Sequence, residues 1–325
     1  MPRLGYALSS EEHAPADLVR HARMAEERGF TFALISDHFH PWIDRQGQSP
    51  FVWSVLGAIA EATDRLEVGT GVTCPTMRIH PAIIAQAAAT TAALMPGRFF
   101  LGVGTGENLN EHVLGQRRPE WDVRIEMLEE AVDLIRRLWE GDNVSHHGRH
   151  YTVENARIYS LPDTLPPIHI AAAGDKAAAF AGRSGDGLIT TSTDDVILQG
   201  YREAGGSGPR FGQVTVCWAP SAAKARRTAL EWWPNVAIRG EASRELPLPA
   251  HFEQLAQGVT EDDVAEVVPC GPDPQPILEQ VRAYIDAGVD NVYLHQIGPD
   301  QSGFLEFASR ELLGAIERVP AGTTN

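Results

Sequence analysis

Cysteine is nearly missing from this 325-residue chain: only Cys74, Cys217 and Cys270 occur, far apart. Three scattered thiols exclude a disulfide framework and offer no paired spacing for a zinc site. Cationic residues are scarce too, 27 Lys and Arg against 43 Asp and Glu, for a formal net charge of −16. So acidic a balance argues against nonspecific nucleic-acid binding, which replaces phosphate counterions with basic side chains. It serves solubility and leaves the local potential of any cleft open. No apolar run approaches the roughly 18–20 residues that cross a bilayer. The opening Met1-Pro2-Arg3-Leu4-Gly5-Tyr6 has no signal-peptide core. The expectation is a cytoplasmic protein with neither membrane nor nucleic acid as partner. A dinucleotide fingerprint is also lacking, since the first strand-like run ends in Leu8-Ser9-Ser10-Glu11. No Gly-x-Ser-x-Gly elbow or Cys/His nucleophile arrangement is present.

What is present is alternation. With 43% apolar and 22% charged residues the chain can bury a full core. Strand-like apolar runs are predicted at 4–8, 32–35, 66–70, 98–103, 168–172, 187–191, 213–218 and 291–296. Helices are predicted at 15–27, 52–62, 81–94, 121–139, 176–183, 222–233, 275–287 and 303–318. The helix over 121–139 rests on Ile125, Leu128, Val132, Ile135 and Leu138 at helical spacing. That over 81–94 starts on a proline, whose missing N–H costs nothing at a first helical position, and Pro96-Gly97 ends it. Eight strand–helix alternations predict an α/β fold, a (β/α)8 TIM barrel in one domain over 1–325. An open doubly wound sheet is the alternative. Two insertions are expected: a hairpin near 143–160 and a helical lid near 221–269, the latter too long for a plain connection.

Parallel barrels place chemistry at the C-terminal ends of their strands. The polar residues there include Asp37 and His38 after the second strand, Thr70–Pro75 after the third, and Thr105–Asn110 after the fourth. Ala173-Gly174, Thr190–Thr193, His295 and Gln296 complete the set. His38 is a candidate general base, because imidazole titrates near neutrality; the alternative is a rim side chain that only packs. Glu107 is a candidate acid if an enclosed site raises its pKa, or else a carboxylate that satisfies a helix start. Trp42 offers an aromatic face to a cofactor or an intermediate, or packs a loop. Gly102-Val-Gly104-Thr-Gly106 is no phosphate loop and suggests close backbone approach to something flat. The run Ala172–Lys176 enters a helix whose free N–H groups suit a phosphate. Residues 182–187 read as the turn into the sixth strand. His146, His147 and His150 lie in the polar hairpin without a carboxylate at ligand spacing and read as solvated surface, with no metal site expected.

Several strings together resemble the luciferase-like family, in its branch of F420-dependent glucose-6-phosphate dehydrogenases. They are Ser36-Asp37-His38-Phe39-His40-Pro41-Trp42, Pro81–Ala87, Arg98–Glu111 (which contains Gly102-Val103-Gly104-Thr105-Gly106-Glu107), Ile170–Gly174 and Ala181–Gly187. The resemblance implies a barrel that holds the deazaflavin coenzyme F420 at its mouth, usually in a homodimer. It implies that Asp37 contacts the deazaflavin edge, His38 removes the hydroxyl proton of an alcohol, Trp42 flanks the reacting centre and Glu107 serves the N1 side of the ring. A non-proline cis peptide would fall at Gly71-Val72. Asn110 and the backbone of Ala173-Gly174 would complete the cofactor site. On the substrate side, Trp42, Thr191, Asp194, Gln254 and His295 are the expected contacts. Where the branch grips a sugar phosphate with cations, this chain carries Asp194, Gln254 and Ser302-Gly303. A carboxylate there would repel a phosphate, so the expectation is hydride transfer between another alcohol or carbonyl, possibly sugar-derived, and F420. An FMN-dependent monooxygenase on the same barrel is the alternative, and a non-catalytic cofactor carrier a third reading.

Overall fold

A computed structural model describes residues 1–238 and 240–316. The four N-terminal strands, β1 (Arg3–Leu8), β2 (Phe32–Ile35), β3 (Glu67–Thr70) and β4 (Phe99–Val103), are followed by the antiparallel hairpin β5 (Val144–His147) and β6 (Thr152–Ala156). Four more, β7 (Ile168–Ala171), β8 (Gly187–Thr190), β9 (Arg210–Val216) and β10 (Asn291–Gln296), complete the set. The eight strands outside the hairpin form a closed parallel barrel in the order β1-β10-β9-β8-β7-β4-β3-β2. Closure is visible at Tyr6, which pairs with Ala33 of β2 on one side and Leu294 of β10 on the other. The short strands run apolar almost throughout, as strands covered on both faces must.

Helices α1 (Pro15–Glu27), α2 (Val52–Ala62), α3 (Pro81–Leu94), α4 (Asn108–Glu111), α5 (Trp121–Leu138) and α6 (Asp175–Ser184) follow the strands. Next come α7 (Asp195–Glu203), α8 (Ala222–Trp232), α9 (Pro249–Ala256), α10 (Glu261–Ala265), α11 (Gln275–Ala287) and α12 (Gln301–Ala308). Their apolar faces join the strands' outward side chains in one large core; Leu128, Val132, Ile135 and Leu138 of α5 are all part of it. The lid predicted at 221–269 is helical: α8, α9 and α10, with short 3₁₀ turns at Pro234–Ala237 and Glu241–Glu245.

The barrel interior is closed at its lower end by aromatic side chains. Phe100 stacks on Phe211 at 5.0 Å, and Phe32 meets Phe211 edge-on at 5.6 Å. Glycine makes room for them: a Cβ at Gly69 would lie 1.9 Å from the Phe100 ring. His169 sits in this layer, 5.0 Å from Phe100 and 5.1 Å from Phe211. Burial pushes its pKa down to about 4, and that of buried His21 likewise to about 4. Both imidazoles therefore fold neutral but take up protons near pH 6.5 when unfolded. The unfolded state binds more protons between pH 4 and 6.5, so stability rises with pH across that window. Each histidine is expected to withdraw about 3 kcal/mol of stability between pH 7 and pH 4. Urea unfolding of a His169→Leu variant across this range should show a shallower slope than the wild type; an unchanged slope would refute the assignment.

Five differences from the sequence-based expectation stand out. Helix α7 was not predicted: it is short and carries Gly200, yet Asp194 caps it and Ile197, Leu198 and Tyr201 bury it against α6. Strand β9 starts at Arg210 rather than 213, because Arg210 is held by both carboxylate oxygens of Asp290 beside β10. Gly182–Ser184 belong to α6, and only Gly185 and Asp186 make the turn into β8. The hairpin imidazoles do have carboxylate partners, His146 with Glu130, His147 with Glu154 and His150 with Glu126, but three separate ones. The helix predicted at 303–318 begins at Gln301 and passes through a π turn at Ser309–Leu313; positions 317–318 lie outside the described residues.

Candidate active site

A cavity of about 670 Å³ opens at the C-terminal mouth of the barrel. Its floor is set by Ala7, Leu34, Ile189 and Tyr293, inward side chains of β1, β2, β8 and β10. From the exit of β2 come Asp37, His38 and Trp42. Asp37 is buried and fully engaged: Thr73 donates to Oδ2 at 2.8 Å, and Arg78 donates to Oδ1 at 2.8 Å. Arg78 also lies 3.7 Å from Glu111, so one buried guanidinium stands between two buried carboxylates. This cluster ties the loops after β2, β3 and β4 together beneath the cavity.

His38 is oriented at both ring nitrogens. Nδ1 lies 3.2 Å from the carbonyl of His40, and Nε2 lies 3.4 Å from Oε1 of Glu11. A carbonyl only accepts, so the neutral ring carries its proton on Nδ1 and presents a lone pair at Nε2. A proton arriving at Nε2 meets the Glu11 carboxylate. Burial pushes the Glu11 carboxyl up, but the His38 charge, the Ser36 hydroxyl and its own backbone outweigh that and hold it below the ordinary range. Trp42 packs 5.2 Å from the His38 ring and edge-on to Phe252 of the lid at 5.3 Å. The neighbouring Glu12 does the same for a second imidazole: its Oε2 lies 3.1 Å from Nε2 of His295, while Oε1 accepts from the Gly298 N–H. Trp233 of the lid covers His295 edge-on at 4.5 Å. Two adjacent glutamates at the exit of β1 thus each hold one cavity-lining histidine.

Glu107 stands at the start of α4, but its side chain does not cap that helix. It faces the cavity instead. Burial lifts its pKa, against the pull of the charges on His38, Arg244 and Arg118. Asn110, also of α4, accepts from the N–H groups of Phe39 and His40 through Oδ1, at 2.8 and 3.1 Å. Its amide nitrogen donates to none of the described residues. The peptide Gly71–Val72 is cis, at the place the resemblance implies, and both residues line the cavity. What the glycine run Gly102-Gly104-Gly106 approaches is in part the protein's own backbone, since a Cβ at Gly102, within β4, would lie 2.0 Å from the Thr70 carbonyl. On the far wall, Ala173 and Gly174 lead into α6, whose N-terminus has no side-chain cap.

Most of the residues singled out from sequence therefore converge: Asp37, His38, Trp42, Gly71, Val72, Glu107, Asn110, Ala173, Gly174, Thr191 and His295 line one cavity. Asp194 and Gln254 do not. The Asp194 carboxylate accepts from the Val196 N–H as the cap of α7, and Gln254 is exposed on α9. Ser302 and Gly303 lie in the first turn of α12, where Gly303 packs against Trp218. Sequence reasoning missed Glu11 and Glu12, although the strand-exit rule that found His38 applies equally to β1. It also missed Arg78, Arg118, Arg124 and Arg244, which have no motif and are brought in by long-range pairing.

The family model for luciferase-like monooxygenases matches residues 1–291. The chain belongs to the luciferase-like family. Within that family it is 36% identical over 332 residues to an F420-dependent glucose-6-phosphate dehydrogenase of Mycobacterium avium, covering 98% of each chain. It is 37% identical to the F420-dependent glucose-6-phosphate dehydrogenase of Nocardia farcinica, over 95% of this chain and 96% of the other. Among solved structures, an F420-dependent secondary alcohol dehydrogenase in complex with an F420–acetone adduct superposes with a TM-score of 0.88 at 30% identity, over 97% of this luciferase-like chain and 99% of that one. The F420-dependent tetrahydromethanopterin reductase of Methanopyrus kandleri shares the fold, with a TM-score of 0.78 at 20% identity.

Proposed function

We propose that this protein is an F420-dependent oxidoreductase that interconverts an alcohol and its carbonyl compound, with His38 as the acid–base residue. The observation that carries the reading is the Glu11–His38–Trp42 group facing Glu107 and the Gly71–Val72 bulge across one cavity. The donor set suits such a cofactor: the Asn110 amide N–H₂ has no acceptor among the described residues, and the uncapped N-terminus of α6 suits a phosphate. Bound F420 supplies a ring carbon that accepts or returns a hydride. The protein's share is proton management and exclusion of water. His38 takes the hydroxyl proton of the alcohol at Nε2, and Glu11 balances the resulting imidazolium. Glu107, with its raised pKa, is suited to hold a proton where charge changes on the cofactor side. Trp42 and Trp233 wall the reacting pocket with aromatic surface.

We further propose that the alcohol is not glucose 6-phosphate. Among the described residues, the ring and hydrogen-bond partners of His38 and His295 are His40, Glu11, Trp42, Glu12, Thr215 and Trp233, with no Lys or Arg. A phosphorylated substrate docked against these rings would lie beside the cavity-lining Glu11 carboxylate and find no cation next to either histidine. A neutral alcohol suits this pocket, and the cytoplasm and a homodimer are proposed as its setting. The test is an F420-reduction screen over simple secondary alcohols, free sugars and glucose 6-phosphate, with F420 and FMN binding followed by fluorescence. F420 binding with turnover of a neutral alcohol supports the reading. Retention of FMN but not F420 would favour an FMN-dependent monooxygenase, and efficient glucose 6-phosphate oxidation would remove the substrate claim.

A further inference from the structure

In a chain of net charge −16, three arginines line the same cavity wall beside Glu107: Arg118, Arg124 and Arg244. Arg118 and Arg124 are buried, with side chains 5% and 8% exposed, and the Nε–H of each has no partner among the described residues. Their other N–H groups are spent largely on neutral carbonyls. Arg118 donates to Gly106 at 2.6 Å and Arg244 at 2.9 Å, and Arg124 donates to Pro119 at 2.7 Å. Among the described residues, Glu245 is the carboxylate within ion-pair reach, pairing with Arg118 and lying 3.6 Å from Arg124, while Glu107 is near enough to feel the Arg118 and Arg244 charges. Glu245 comes from a short lid turn and is 55% exposed, so its pairing is the weak, solvent-screened kind. Burial and the neighbouring Arg118 charge both push the Arg124 pKa down, as expected for two buried cations with too little negative charge between them.

We propose that Arg118 and Arg124 form a subsite for a carboxylate or phosphate group of a ligand in the barrel-mouth cavity, with the Glu245 carboxylate as its displaceable occupant. Arginine forks favour planar or tetrahedral oxyanions in this way. The anion can come from the cofactor or from a substrate; the subsite is independent of which, but assigning it to the cofactor rests on the F420 reading above.

Calorimetric titration with inorganic phosphate of wild type, Glu245→Gln and Arg118→Gln tests it. Glu245→Gln, an exposed substitution, should bind phosphate several-fold more tightly, and Arg118→Gln about tenfold more weakly. Equal affinities in all three proteins, absence of binding in all, or weaker binding to Glu245→Gln overturns the proposal. Fluorescence titration then identifies the source of the anion. Tighter F420 binding to Glu245→Gln, with no change for a deazaflavin lacking phosphate and carboxylates, places the cofactor's anionic group there. An unchanged F420 affinity with a lowered KM for anionic substrates places the substrate there and overturns the neutral-alcohol reading above. If wild type binds no F420, the cofactor reading fails while the phosphate titration still decides the subsite.

Discussion

Replacing His38 by alanine is expected to lower the rate of F420-linked alcohol oxidation by roughly two to four orders of magnitude, with cofactor affinity nearly unchanged. The reason is local. Asn110 pins the backbone of Phe39 and His40, and the His40 carbonyl fixes the His38 tautomer, so Nε2 is the atom left to take a proton. The cofactor-side contacts proposed for Asn110, Gly174 and the Gly71–Val72 bulge do not pass through the imidazole. Glu11→Gln separates base from support. It keeps the shape of the group but removes the charge facing the imidazolium, so kcat should fall less than in the alanine variant while the pH profile shifts. Single-turnover reduction of F420 at saturating alcohol is the measurement. Near-normal turnover in His38→Ala would end the assignment.

Replacing Arg78 by methionine should destabilise the fold by about 3–5 kcal/mol, the usual cost of removing one partner from a buried ionic group. Arg78 is 7% exposed, and the Asp37 and Glu111 side chains that it serves are each 1% exposed. Burial already raises the Glu111 pKa, against the opposing Arg78 N–H and charge. Without the guanidinium it rises further, well above the ordinary unfolded value near 4.3. A carboxyl whose folded pKa is raised costs stability above its unfolded pKa, and that cost fades as falling pH protonates it. The deficit should therefore be larger at pH 8 than at pH 5. Paired urea melts of wild type and variant at both values would show it, and a small or pH-independent loss would mean the cluster is not a charged one. Activity should fall as well, because Asp37 loses the contact that holds the β2 loop.

Much of the architecture was legible before folding, for reasons that lie in single segments. Short apolar runs punctuated by turns and amphipathic helices recur eight times, and local pattern alone places β2, α3 and α5. The strand-exit rule then picks out His38, Glu107 and Asn110. Helix α7 escaped because Gly200 weakens its local signal and its stability comes from packing on α6. Asp194 caps α7 outside the cavity for a related cause: a carboxylate just before a helix serves the chain's own N–H groups as readily as it meets a ligand.

The amino-acid sequence by itself determined the barrel, the acid–base candidates after β2 and β4, and the absence of dinucleotide, metal and nucleophile motifs. Those are encoded in local periodicity and in residues a few positions apart. Only the tertiary structure decided which carboxylate faces which imidazole, that Arg78 bridges Asp37 and Glu111, and that Arg118, Arg124 and Glu245 meet on one wall. These partners are tens to hundreds of residues apart. A charged group carries no local signal of its partner, because Coulombic pairing depends on distance in space and on shielding from water, and closure of the barrel sets both.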